Sequence, residues 1–328
     1  MQKQLEIMHA MQNIASTHNG KMSLRRKFRI LNLPGTFHCE EQCRKCINRE
    51  GSAANAHFRE LNGKLPMKAT KQLISLFARR FGTKFVAISG RGDPFHPRVA
   101  QETMQKIAHA TSEGVRSYVF TQGNNLSPQI CRFLSNHGVN VMIGLAGNNT
   151  FIDEKFFKGA AYGGRSAEIA TSLRTLFLAY TYCSNPPAYG LTRLGMNYVL
   201  GINGEPDLDK LAALKDAANG NGIYFVCNTP LHSEEGRKHK RKMAALALAY
   251  SDFNLPHSTY ADGRCQMGAG SSITIAPNED VYRCPHMMEG SMGNIMLLKE
   301  EPLTALFSRC LGDRRHACVI RKTTARKV

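Results

Sequence analysis

No stretch of this 328-residue chain reaches the roughly eighteen consecutive apolar residues that a bilayer crossing needs, which argues against a membrane span. The first residues are not expected to form a secretory leader. Residues 1 to 16 scatter Leu5, Ile7, Met8, Met11 and Ile14 among polar neighbours, without a basic start and an unbroken apolar run. These absences lead to the expectation of a cytoplasmic protein. Acidic residues are scarce, 25 against 43 Lys and Arg, and the formal charge of +18 sets up a field that draws in anions such as acidic peptides or nucleic acid. The basic residues collect in three runs, Lys21 to Arg29, Arg237 to Lys242 and Arg314 to Lys327. None alternates with aromatics in the manner of a base-stacking platform, so an RNA partner is the less favoured reading. Repeats and low-complexity segments are also absent.

Grounds for a disulfide framework are lacking as well. Ten cysteines in a chain read as having no export signal are expected in a reducing compartment, where clustered thiols bind metals or do chemistry. Seven fall into two groups: Cys39, Cys43 and Cys46 near the start, and Cys265, Cys284, Cys310 and Cys318 near the end. Cys131, Cys183 and Cys227 stand apart in apolar contexts and read as small buried hydrophobes.

What the chain does have, from Phe28 onward, is alternation. Short apolar runs ending in small polar residues take turns with amphipathic stretches, the pattern of βα units that build a parallel sheet. The candidate strands are 28–33, 85–89, 117–121, 139–145, 195–200 and 223–227. Helical spacing of apolar residues marks 68–81, 100–110 and 167–180. The expected fold is α/β, either a partial barrel or a doubly wound sheet, and in both the chemistry collects where the strands end. Near Ala261 the alternation stops, so a domain boundary is expected between Tyr250 and Tyr260.

After the first strand comes Cys39-Glu40-Glu41-Gln42-Cys43-Arg44-Lys45-Cys46, three thiolates within eight residues. A structural zinc ion or a ferredoxin-type cluster would want a fourth ligand nearby, and His38 would have to fold back on its own neighbour to supply it. Three thiolates on a [4Fe-4S] cluster instead leave one iron open. Ser89-Gly90-Arg91-Gly92-Asp93-Pro94 closes the second strand, where glycines let the backbone approach a ligand and a carboxylate can accept from an ammonium. Thr121-Gln122-Gly123-Asn124 closes the third, and Asn197 precedes Tyr198-Val199-Leu200 on the fifth.

Together these motifs resemble the radical SAM superfamily over nearly the whole chain from Phe28. The resemblance implies a partial (β/α)6 TIM-like barrel over residues 28–255, preceded by a helical extension over 1–27. It also implies that Cys39, Cys43 and Cys46 hold a [4Fe-4S] cluster whose open iron chelates S-adenosylmethionine. Gly90, Gly92 and Asp93 are similar to the Gly-Gly-Glu-Pro motif that holds the methionine amino group, with aspartate in place of glutamate. Asn124 lies in a turn like the family's Thr-Asn-Gly. Lys158-Gly159 falls where the family has Arg-Gly, so Lys158 would pair with the methionine carboxylate, and Asn197 would lie near the cofactor. Two departures stand out: Lys45 occupies the usual aromatic position, and Gly144-Leu145-Ala146-Gly147 has neither the serine nor the acid of Ser-x-Asp-Gly.

Residues 256–328 resemble the twitch and SPASM auxiliary-cluster domains, with Cys265, a turn at Pro277-Asn278-Glu279, Cys284, Met292-Gly293-Asn294-Ile295 and a helix from Pro302 to Arg309. Glu279 stands at the usual glycine, and Asn278 is the residue expected to take the left-handed conformation. By this resemblance Cys265, Cys284, Cys310 and Cys318 would hold one auxiliary [4Fe-4S] cluster, with His286 as a replacement for Cys310 and zinc as the alternative metal. The implied activity is reductive cleavage of S-adenosylmethionine to a 5′-deoxyadenosyl radical that abstracts hydrogen from substrate. A peptide or protein substrate is favoured over a small sugar or polyol, with an electron donor such as flavodoxin or ferredoxin. A reading of another class, a non-catalytic metal-cluster protein that binds RNA, stays open.

Overall fold

The structure, a computed structural model, describes residues 28, 30–35, 37–39, 65–88, 92–145, 194–200, 205–206, 208–220, 223–228, 237–252, 272–282 and 294–295. Its strands are β1 (Ile30–Asn32), β2 (Phe85–Ile88), β3 (Arg116–Thr121), β4 (Asn140–Leu145), β5 (Leu194–Val199), β6 (Tyr224–Asn228), β7 (Ser272–Ile275) and β8 (Val281–Tyr282). They form one sheet in the order β6-β5-β4-β3-β2-β1-β7-β8, parallel throughout except for the antiparallel β7–β8 pair. Each of the six strands expected from the sequence is present.

The first six strands neighbour one another in space as they do in sequence, with no reversal of order. Since βαβ crossovers are right-handed, such an order places every connecting helix on the same face. A doubly wound sheet reverses its order midway and is covered on both faces. The core agrees with the one-sided arrangement. Leu31, Val86, Val119, Val141, Met196 and Phe225, all of one strand parity, share a single cluster with Phe77, Ile107, Leu134, Leu214 and Met243 from the helices.

Those helices are α1 (Met67–Phe81), α2 (Ala100–Ser112), α3 (Pro128–Asn136), α4 (Leu208–Gly220) and α5 (Arg237–Tyr250). α1 stops where Gly82 turns left-handed, at φ 62°, and returns its N–H to the Phe77 carbonyl. Ser127 caps α3 by accepting from the Ile130 N–H at 3.3 Å, and Pro128 fills the first turn, where an N–H is not needed. The first two helices match the apolar spacing of the sequence, while the expected helix at 167–180 lies outside the described residues. α5 is less legible because six consecutive basic residues open it, against the helix dipole. Glu205 offsets part of that opposition by pairing with Lys242 at 2.6 Å and His239 at 3.3 Å. Beyond α5, Ser251 Oγ and Asp252 Oδ2 accept from the Cys227 and Phe225 N–H groups, so the outer edge of β6 is covered.

On the far side of β1, the hairpin that the sequence assigns to a second unit continues the same sheet. Asn32, 3% exposed, donates to Ser272 Oγ at 2.6 Å and to the Ile273 carbonyl at 3.0 Å. In the β7–β8 turn the residue with positive φ is Glu279, at 71°, which corrects the expectation for Asn278. Asn278 does a different job: its Oδ1 accepts from the Asp280 N–H, an Asx-type turn, and the left-handed step falls one residue later.

Replacing Asn32 by Leu removes both donors while keeping the branched shape of the side chain. Stability should fall by about 1–3 kcal/mol. Amide exchange across Ser272–Ile275 should quicken far more than across β2 and β3; equal protection in the variant and the parent would show that the side-chain link does not hold β7.

Candidate cofactor site at the strand ends

Parallel strands bring their C-terminal ends to one rim, and there the loops after β1, β2 and β3 converge on Asp93. Its backbone N–H donates to the His38 carbonyl at 2.8 Å, fastening the loop that leads into Cys39. Its carboxylate accepts from the Phe95 N–H at 2.8 Å, the Gln122 N–H at 2.8 Å, and the Thr121 hydroxyl at 2.8 and 3.1 Å. Asp93 is 5% exposed; burial pushes its carboxyl up, and the donors from Gln122, Phe95 and Thr121 pull it back. A carboxylate has room for about four hydrogen bonds, and these donors take most of it.

Gly92 makes that approach practicable. A Cβ there would lie 2.3 Å from the His38 carbonyl oxygen and 2.7 Å from its nitrogen, and φ is +66°. Only a residue without a side chain lets the β2 loop lie against the β1 loop. The His38 ring stacks on His96 at 5.3 Å with 19° between the planes. Burial, with His96 and Arg98 beside it, lowers the His38 pKa from its ordinary value.

On the face opposite the helices, Met142 and Val226 are buried with Tyr118 and Phe120 packed against them. Above this apolar floor sit carboxamides. Asn197, 2% exposed and opposite Gly144 in the β4–β5 register, accepts on Oδ1 from Asn228 Nδ2. Gly144 leaves room for the Gln122 side chain: a Cβ at 144 would lie 3.1 Å from Gln122 Nε2 and 3.0 Å from Phe120 Cε1. Gln122 Oε1 is buried with no hydrogen-bond partner among the described residues. A buried acceptor left unmet typically costs about 1–3 kcal/mol.

The sheet thus brings Cys39, Gly92, Asp93 and Asn124 to one rim, with Asn197 near the end of β5. Cys39 is partly exposed and outside any disulfide. Gly90, Lys158, Cys43, Cys46, Cys265, Cys284, Cys310, Cys318 and His286 lie outside the described residues. Cys131 and Cys227 are buried, and that burial pushes their thiols up to about 11 and about 12, in keeping with a packing role. Gln122 and Asn228 were missed as site residues. Both end strands, which was the available signal, but only the register reveals their neighbours.

A cysteine-bearing loop at the β1 end, pressed against a glycine of the β2 loop, suits the three-cysteine arrangement of a cluster with one open iron. The fold is a parallel α/β, TIM-barrel-like one, shared with solved proteins that hold S-adenosylmethionine. Streptococcus suis SuiB bound to S-adenosylmethionine superposes with a TM-score of 0.55 at 12% identity, over 90% of this chain and 68% of that one. SuiB bound to its precursor peptide SuiA gives 0.57 at 11%, over 92% and 70%. Native anSMEcpe with bound AdoMet gives 0.54 at 10%, over 85% and 80%. At these identities the likeness is one of fold. No family model matches the chain, and no curated protein does.

The contact at Gly92 can be separated from backbone strain. Gly114 has a similar φ of +69°, but a Cβ there meets nothing within 4 Å. Gly114→Ala should therefore cost about 1–2 kcal/mol, the left-handed strain alone. Gly92→Ala should cost more, about 2–4 kcal/mol, and should also reduce the iron retained after anaerobic reconstitution. Equal losses in the two variants, with equal iron, would mean that the β1 and β2 loops do not need this close approach.

Proposed function

We propose that this chain is a radical SAM enzyme in which Cys39, Cys43 and Cys46 hold a [4Fe-4S] cluster and S-adenosylmethionine occupies the open iron. The observation that carries the reading is the fastening of the Cys39 loop to Asp93 at the C-terminal rim of a parallel sheet. The shared fold with proteins solved with S-adenosylmethionine supports it. When bound, the reduced cluster supplies one electron to the sulfonium, releasing methionine and a 5′-deoxyadenosyl radical that takes a hydrogen atom from the substrate.

The chain's own residues position the reactants. Gly90 and Gly92 let the β2 loop lie close to the cofactor, and Asp93 holds that loop and the β3 turn bearing Asn124 in register with Cys39. Lys158 supplies a cation for the methionine carboxylate, and Asn197 offers its carboxamide on the inner face. The apolar floor of Tyr118, Phe120, Met142 and Val226 keeps water from the reacting atoms.

A peptide or protein substrate is favoured, because a protein of the same fold is known bound to a precursor peptide and because the charge of +18 draws acidic chains. Cys265, Cys284, Cys310 and Cys318 hold a second cluster in this proposal, in a C-terminal auxiliary unit of the twitch or SPASM kind, and a flavodoxin or ferredoxin supplies the electron.

Dithionite and S-adenosylmethionine should yield 5′-deoxyadenosine from the anaerobically reconstituted protein, and a Cys39, Cys43 and Cys46 triple alanine variant should yield none. Turnover surviving the triple change would end the radical SAM reading. A variant with Cys265, Cys284, Cys310 and Cys318 all as alanine should lose about half of the iron and still cleave S-adenosylmethionine slowly. Unchanged iron in that protein would remove the second cluster from the proposal.

A further inference from the structure

Most buried polar side chains find a partner, and an unmet acceptor at the C-terminal end of a parallel strand marks a place where a ligand completes the bonding. Gln122 Oε1 is such an atom. The Gln122 backbone is tied down, since its N–H donates to Asp93 Oδ2 at 2.8 Å, so the carboxamide is held at the β3 end. Its Nε2 lies over Gly144, where any other residue would crowd it. Its neighbours across the sheet are Asn197 and Asn228, already bonded to each other, above the apolar floor. None of these groups carries a charge. Asp93, the nearby carboxylate, is engaged by three donors, so a further donor seated here finds the Gln122 oxygen open.

Building on the proposed function, we propose that the Gln122 carboxamide faces the bound ligand and accepts an N–H or O–H donor from the molecule seated on the inner face of the sheet. Two molecules could bring that donor, the nucleoside part of the cofactor or the substrate, and the same substitution distinguishes them. Gln122→Met keeps the length of the side chain and has no strong acceptor to leave unmet.

The test uses the full chain, reconstituted anaerobically, with thermal unfolding in the absence of ligand and S-adenosylhomocysteine affinity by calorimetry. Gln122→Met should unfold at the parent temperature or up to a few degrees higher, because the unmet acceptor is gone. Unfolding more than about 3 °C below the parent would make the carboxamide a strut of the fold and overturn the inference. With stability kept, at least tenfold weaker binding of S-adenosylhomocysteine assigns the donor to the nucleoside, and unchanged binding assigns it to the substrate. Gly144→Ala, whose Cβ would press on Nε2 at 3.1 Å, should reproduce the affinity result by displacing the carboxamide. A parent protein that binds no S-adenosylhomocysteine would instead defeat the radical SAM reading, and the unfolding comparison would still judge the role of Gln122.

Discussion

Three strand-end loops meet at one buried carboxylate, and the rest of the site depends on that meeting. Taking a carboxylate out of water is costly unless donors surround it. The fold supplies them from the Asp93 loop itself, through Phe95, and from the β3 end, through Thr121 and Gln122. The same residue's backbone reaches the opposite way to His38. The position of the Cys39 loop is therefore set partly by β2 and β3, before any metal is considered, and Gly92 is the steric condition for it.

The order of the sheet does the complementary work. Among the described residues the five helices pack on one face, and the other carries an apolar floor and a rim of carboxamides. On this surface the polar groups stand at the strand ends and the apolar groups lie deeper. The hairpin beyond β1 belongs to the same sheet, so what happens in the chain's last quarter bears directly on the strand that leads to Cys39.

The strands were legible because parallel strands buried on both faces read as short continuous apolar runs, and Phe85–Ile88 is one. α1 and α2 were legible from the spacing of Leu73, Ile74, Phe77 and Ile107. α5 was not, since Arg237–Lys242 reads as a charge run, and its helical state draws on Glu205, far off in sequence. Spacing gave no means of choosing between one-sided and two-sided cover, which strand order decides. At the site, the sequence singled out the strand-end residues by type but not by partner. Asp93 was read as a receiver for an ammonium, and the fold shows three donors from the protein already on it. Gln122 passed unnoticed because its meaning lies in Gly144, on the next strand. Glu279 took the left-handed step because the Asn278 side chain was already committed to Asp280.

The pairing of β1 with β7 also has a history in time. Asn32 and Ser272 are 240 positions apart in the chain. A ribosome adding roughly 5–20 residues per second needs on the order of tens of seconds to cover that separation. For that interval the strand before Cys39 has β2 on one flank and an open edge on the other. An emerging chain would expose this edge to whatever pairs with strands. The second flank of β1 is thereby closed only once residues 272–274 have been made.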